Sequence, residues 1–280
     1  MKEYIEILRP GNAIMAVIAV ILIAIISKTF NINFLLGIIT VFLATGGGNA
    51  INDVYDYKID LINKPNRPIP SGKIKLKTAK IYAILLFLIA IILGLIISIN
   101  LKTFLPLIIV IFNSILMYYY AHTLKSTILI GNLTVAYLTG SCFIFGGTIT
   151  NNSQIIYLSL ILGLFAFLMT LAREIIKDME DKDGDKKEGV ITLPIAHGLR
   201  ISAILSAIFI IIDLILSPTL YIFNIFNVYY LIPLTIALII FIISAIKILK
   251  NQNKNTSAKV SKLLKIGMFI AFISFAIGSI

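Results

Sequence analysis

Two short stretches carry most of the acidic side chains and repeat one spacing. Asp53, Asp56 and Asp60 stand at i, i+3 and i+7, and Asp178, Asp181 and Asp185 do the same. On a helix those offsets bring all three carboxylates of a set to one face. Of the 13 acidic residues, only Glu3, Glu6 and Asp213 fall outside residues 53–60 and 174–188. Each set follows an apolar run, where a carboxylate at mid-bilayer depth costs roughly 3 kcal/mol on insertion scales, so its presence points to function rather than filler. Two sets of hard oxygen ligands call for a hard divalent cation, and Mg2+ shares itself between a few carboxylates, its own waters and substrate phosphates. A diphosphate held by two such ions becomes a good leaving group, because the charge that develops on it is neutralised. Asp181, Asp183 and Asp185 alternate as a calcium loop would, but Lys186 occupies the position of that loop's glycine, which excludes it.

Basic and breaker residues surround the acids. Asn63–Gly72 contains Pro65, Pro68 and Pro70 and reads as a stiff, turn-rich loop. Arg67, held between its prolines, suits phosphate clamping. Lys125, the one basic residue in its connection, and Lys177 are further candidates for diphosphate charge. Arg9-Pro10-Gly11-Asn12 has helix-start chemistry, and Arg9 is equally a substrate contact or an interface anchor. Gly46-Gly47-Gly48 interrupts the apolar run before Asn49, explained by close helix packing, by room for a ligand, or by both. His122, beside three tyrosines, reads as an interfacial side chain, and the Gly140/Gly146/Gly147 series after Asn132 reads as packing.

Composition names the elements that must position these groups. Hydrophobic residues make up 59% and charged residues 13%, half the charge of a soluble domain, with a mean hydropathy of +1.01. The class is an all-α polytopic membrane protein. Nine transmembrane helices are expected near 12–27, 34–51, 81–99, 104–120, 128–148, 155–171, 201–216, 228–246 and 263–280. The first of these has no cleavage pattern behind it and is read as a retained span. With sides counted alternately, every basic residue except Lys28 and Lys102 falls on one side, together with both acidic stretches. The positive-inside rule then places the N-terminus and the active site in the cytoplasm and the C-terminus outside a cell membrane. The net charge of +11 is therefore topology, and no nucleic-acid partner is expected. Cys142, the single cysteine, excludes an intrachain disulfide. The basic connection Lys247–Lys265 is expected to face anionic membrane lipids.

The chain also repeats itself. Pro68-Ile69-Pro70-Ser71-Gly72 and Pro194-Ile195-Ala196-His197-Gly198 each follow an aspartate triplet, four spans apart on the same side. This implies one domain over 1–280 made of two parallel four-helix repeats, about 1–125 and 126–250, plus an extra helix at 263–280, around a central cavity.

The motifs Asn49-x-x-Asn52-Asp53-x-x-Asp56-x-x-x-Asp60 and Asp178-x-x-Asp181-x-x-x-Asp185 closely resemble the two signatures of the UbiA-type intramembrane prenyltransferase superfamily. The likeness covers essentially the whole chain. It implies Mg2+-dependent transfer of a prenyl group from prenyl diphosphate to an acceptor, with two ions expected. Carried over by position, Asn49 and Asp53 would be ligands of one ion, and Asp181 and Asp185 of the other. Asp53, Asp56, Asp178 and Asp181 become the candidate catalytic residues. Arg67, Lys125 and Lys177 match diphosphate contacts, with Asn132 and Arg9 as further substrate contacts. Arg173 stands where the family often has a tyrosine. Ile62–Gly72 and Arg173–Asp178 with Thr192–Ile195 resemble the archaeal ether-lipid branch. That branch implies a geranylgeranyl donor and the hydroxyl of geranylgeranylglyceryl phosphate as acceptor, with Arg9 and Lys73 as extra cations for the acceptor's phosphate. The alternatives are an aromatic or chlorin acceptor and, outside the class, a secondary transporter, whose charges would lie deeper in the membrane.

Overall fold

The computed structural model describes residues 2–187 and 189–280. Glu188, the last acid of the second stretch, lies outside the described residues. The long helices are α1 (Pro10–Ile26), α2 (Ile32–Tyr55), α3 (Leu76–Leu101), α4 (Leu105–His122), α5 (Ile130–Ile149), α6 (Ser153–Lys187), α7 (Gly198–Leu216), α8 (Leu231–Lys250) and α9 (Lys254–Gly278). Among the described residues, eight helices are long and apolar enough to cross a membrane. The exception is α1, which is apolar but has 17 residues. The chain is a multi-pass membrane protein.

It divides into two compact units, Met1–Lys125 with Ser141–Ser159, and Ser126–Gly140 with Leu160–Ile280. In the first, α2 packs along α1, α3 and α4. Asn31 caps α2 by accepting a hydrogen bond from the Phe34 N–H at 3.2 Å. The unit's core is built from Leu8, Ile51, Val54, Ala83 and Phe87, and Ile69 and Ile74 anchor the proline-rich loop to it. As the expected span over 34–51 requires, α2 runs unbroken through Gly46, Gly47 and Gly48. The reason is steric. A methyl group on Gly47 would lie 3.1 Å from the Phe87 ring, and one on Gly48 would lie 2.6 Å from Met117 Sδ. Neighbouring side chains fill the glycine faces, and that packing outweighs the glycines' weak helix propensity.

In the second unit α8 packs along α7 and α9 over a core that includes Ile176, Ala203, Ala207, Ala237 and Phe241. A methyl group on Gly140 of α5 would meet the Gly163 carbonyl oxygen of α6 at 2.5 Å, so these backbones touch directly. Outward-facing Ile201, Ile204, Ile208, Ile211 and Ile215 form a helical stripe on α7, the side a bilayer would cover.

Two element ends differ most from the sequence reading. Helix α6 continues to Lys187 rather than stopping near 171, and α9 begins at Lys254 rather than 263. At about 1.5 Å per residue a 35-residue helix spans roughly 52 Å, well beyond a hydrocarbon layer of roughly 30 Å. The acidic end of α6 therefore stays helical after leaving the apolar layer, and the second aspartate set is not a loop.

Candidate active site

The first unit gathers its acids at the end of α2. Asn49, Asn52 and Asp53 lie on the last turns, Asp56 at the break after Tyr55, and Asp60 on the short helix Tyr57–Asn63. Asp53 and Asp60 are buried. Arg9 Nη2 donates to Asp53 Oδ1. Arg67 Nη1 donates to the same oxygen at 3.1 Å and to Asp60 Oδ2 at 2.5 Å. Lys125 pairs with Asp56 Oδ1, while Asn52 Nδ2 donates to Asp56 Oδ2 at 2.7 Å. Three carboxylates are thus matched by three cations. Over Asp53 and Asp60 the cations form the reachable layer: Arg9 and Arg67 side chains are 29% and 22% exposed, against 3% and 4% for the two acids. Lys125 and Asp56 are about equally open, at 22% and 18%.

Local structure explains these positions. Ile69 and Ile74 are buried, Ile74 N–H donates to the Pro68 carbonyl at 2.9 Å, and Gly72 adopts the left-handed φ of +74°. The turn is thereby fixed to the core and holds Arg67 over the acids. On the other side, Ile7 and Leu8 are buried, and Asn49 Nδ2 donates to the Leu8 carbonyl at 2.8 Å. That tether sets Arg9 directly before α1, with φ of +48°. Next to Asp56, Tyr55 and Tyr118 hydroxyls lie 2.8 Å apart, and His122 packs edge-on against Tyr55 with centroids 5.1 Å apart. His122 is exposed, consistent with a side chain at an interface.

In the second unit Arg173, Glu174, Lys177 and Asp181 lie on the side of α6 opposite the buried Ala172, Ile175, Ile176 and Met179. Asn132 Nδ2, from the start of α5, donates to Asp178 Oδ2 at 2.8 Å. Ala136, Leu171, Ile175 and Leu193 form the cluster that fixes α5 against α6 below this bond. Arg173 Nη1 donates to Glu174 Oε1 at 2.6 Å, and Lys177 Nζ lies 3.9 Å from Glu174 Oε2. Asp181 is exposed and Asp185 half-buried.

The structure therefore brings Arg9, Asp53, Asp60 and Arg67 together, pairs Asp56 with Lys125, and pairs Asn132 with Asp178. Lys73 is exposed on its loop. Two residues with clear roles here had no assignment from sequence. Asn52 holds Asp56 at i, i+4, a spacing that signals the contact. Glu174 is shared by two cations on its own helix. Among the described residues no group of three His, Cys, Asp or Glu side chains is placed to hold a metal ion. The donors nevertheless fit Mg2+ in kind, because they are carboxylate and amide oxygens without thiolate or imidazole. Mg2+ also takes one or two carboxylates and completes its shell with water and substrate phosphate, so it requires no all-protein cage.

An all-helical, multi-pass membrane protein with two aspartate motifs, the first of them paired with part-exposed guanidinium and ammonium groups, has the make-up of an intramembrane prenyltransferase. The chain belongs to the UbiA prenyltransferase family, whose model matches residues 13–273. It is 56% identical over 279 residues to a digeranylgeranylglyceryl phosphate synthase of Methanobrevibacter smithii, an alignment covering 100% of this chain and 98% of the relative. A solved structure described as a digeranylgeranylglyceryl phosphate synthase in membranes matches with a TM-score of 0.84 at 43% identity, covering 99% of this chain and 98% of the other. A UbiA homologue of Archaeoglobus fulgidus solved with GPP and Mg2+ shares the fold, with a TM-score of 0.67 at 15% identity, covering 98% and 99%.

Proposed function

We infer that this prenyltransferase moves a geranylgeranyl group from its diphosphate to the free hydroxyl of geranylgeranylglyceryl phosphate, forming an ether lipid of archaeal type. The observation that carries this reading is the 56% identity, end to end, with a synthase of that name, with both aspartate motifs intact. In the reaction the allylic carbon–oxygen bond to diphosphate breaks, a carbon–oxygen bond to the acceptor forms, and diphosphate and the hydroxyl proton leave.

Asn49 and Asp53 would hold one Mg2+ ion, and Asp181 and Asp185 another. Bound Mg2+ supplies charge neutralisation at the leaving diphosphate. Arg67, Lys125 and Lys177 take the remaining phosphate charge. Arg67 and Lys125 rest on Asp53, Asp56 and Asp60, so a bound phosphate would compete with those carboxylates for them. The catalytic role of Asp56 and Asp178 is to complete the two aspartate faces. Asn52 and Asn132 orient them by amide donation. The apolar helices keep water from the allylic cation.

The finer architecture follows the same reading. The 17-residue α1 is the ninth span, within the range of about 17–25 residues for a crossing helix. Two parallel four-helix repeats end their second helices, α2 and α6, in the aspartate motifs. The clustering of basic residues supports a cytoplasmic site and N-terminus and an external C-terminus in the cell membrane.

Competition between geranylgeranylglyceryl phosphate, its phosphate-free alcohol and 4-hydroxybenzoate tests the acceptor. The phosphorylated lipid is expected to win over the alcohol by about 2 kcal/mol or more, roughly thirtyfold, through charge-assisted contacts. Preferential prenylation of hydroxybenzoate would overturn the ether-lipid reading and leave the family's reaction standing.

A further inference from the structure

We propose that Arg173 receives the phosphate of the lipid acceptor as its phosphomonoester contact. The proposal rests on the acceptor being a glycerol phosphate lipid. An unmet donor motivates it. Arg173 pairs with Glu174, whose carboxylate Lys177 also approaches. With Nη1 committed to Glu174, the Nε–H of Arg173 is buried without a hydrogen-bond partner. A buried unmet donor is unfavourable, and a small rotation of the guanidinium onto an anion would relieve it. The side chain is 25% exposed, so the group can be reached.

Its height on the helix sets it toward the apolar segment, one turn beyond Lys177. Arg173 is the first charged residue of α6, since Ser153–Ala172 contains none. At 3.6 residues per turn it shares a face with Lys177 and Asp181, but lies about 12 Å along the axis from Asp181, on the side of the apolar segment. A planar guanidinium can offer the acceptor's phosphate two parallel N–H donors, which an ammonium cannot.

The test uses full-length wild type, Arg173→Gln and Arg173→Lys in detergent, with elution profile and melting temperature as folding checks. Equilibrium binding of geranylgeranylglyceryl phosphate and of its phosphate-free alcohol is measured without donor, and steady-state kinetics with each acceptor follow. Wild type is expected to bind the phosphorylated lipid at least tenfold more tightly than the alcohol. Arg173→Gln is expected to erase that preference and raise the KM for the phosphorylated acceptor, with unchanged donor KM and unchanged rates on the alcohol. Arg173→Lys should keep part of the preference. A wild type without the preference, a preference that survives in Arg173→Gln, or equal losses on both acceptors would overturn the proposal. Should Arg173→Gln misfold, an undiminished preference in Arg173→Lys would also overturn it. An Arg173-dependent binding preference without turnover of the bound lipid would instead refute the acceptor reading and leave the subsite standing.

Discussion

Asp181→Ala is expected to lower turnover by at least a hundredfold to a thousandfold while leaving elution profile and melting temperature unchanged. The side chain is exposed on the ionic face of α6, so its removal disturbs little packing. It does remove an anionic oxygen from the second aspartate set, and losing one preorganised electrostatic group commonly costs about 10² to 10³ in rate. Asp53 requires a gentler substitution. It is buried beneath Arg9 and Arg67, and removing one partner from such a network also destabilises the fold, by about 3 kcal/mol at most with cations this open to solvent. Asp53→Asn keeps the shape and a hydrogen-bonding oxygen but removes the charge, and should lose rate to the same degree with a smaller stability change. Steady-state rates at saturating Mg2+ beside thermal melts separate the two effects. A wild-type rate in either variant would contradict the assignment of both sets to catalysis.

Arg67→Ala is expected to raise the KM for prenyl diphosphate by about ten- to a hundredfold, with a small change in the KM for the acceptor. A hydrogen bond to a charged group contributes about 1.5–3 kcal/mol, which sets that range. The specificity of the effect follows from the loop. Buried Ile69 and Ile74 hold the turn rigid, so Arg67 is presented at one height over Asp53 and Asp60 and has little freedom to serve elsewhere. Arg67→Lys should recover only part of the loss, since an ammonium lacks the planar fork. Measuring both KM values decides the matter, and a rise confined to the acceptor would move Arg67 to the acceptor's site.

Much of this site was legible before any coordinates because its signals are local. Aspartates at i, i+3 and i+7 define a helical face, Pro65, Pro68 and Pro70 define a stiff loop, and long apolar runs define spans. The pairings were not legible. Arg9 reaches Asp53 across 44 positions and Asn132 reaches Asp178 across 46, and helix packing, not periodicity, creates such contacts. Arg9 therefore read as a helix start or a substrate contact, whereas its partner is a carboxylate. The glycine triplet announced close packing, but its partners were not legible, because the side chains of Phe87 and Met117 that fill the glycine faces come from other helices. The continuation of α6 past 171 escaped because hydropathy marks where a helix leaves the bilayer, not where it stops being a helix.

The central claim is a Mg2+-dependent prenyl transfer to a glycerol phosphate lipid, and one mass-balance assay reaches it directly. Purified protein is given radiolabelled geranylgeranyl diphosphate and geranylgeranylglyceryl phosphate, in Mg2+ or in excess EDTA, with products separated and weighed by mass spectrometry. The account predicts one labelled phospholipid, equal in mass to the acceptor plus the prenyl group less the hydroxyl hydrogen. It also predicts one diphosphate released per ether bond, and no product in EDTA. Absence of label in the acceptor under Mg2+, or equal product with and without the metal, would contradict it.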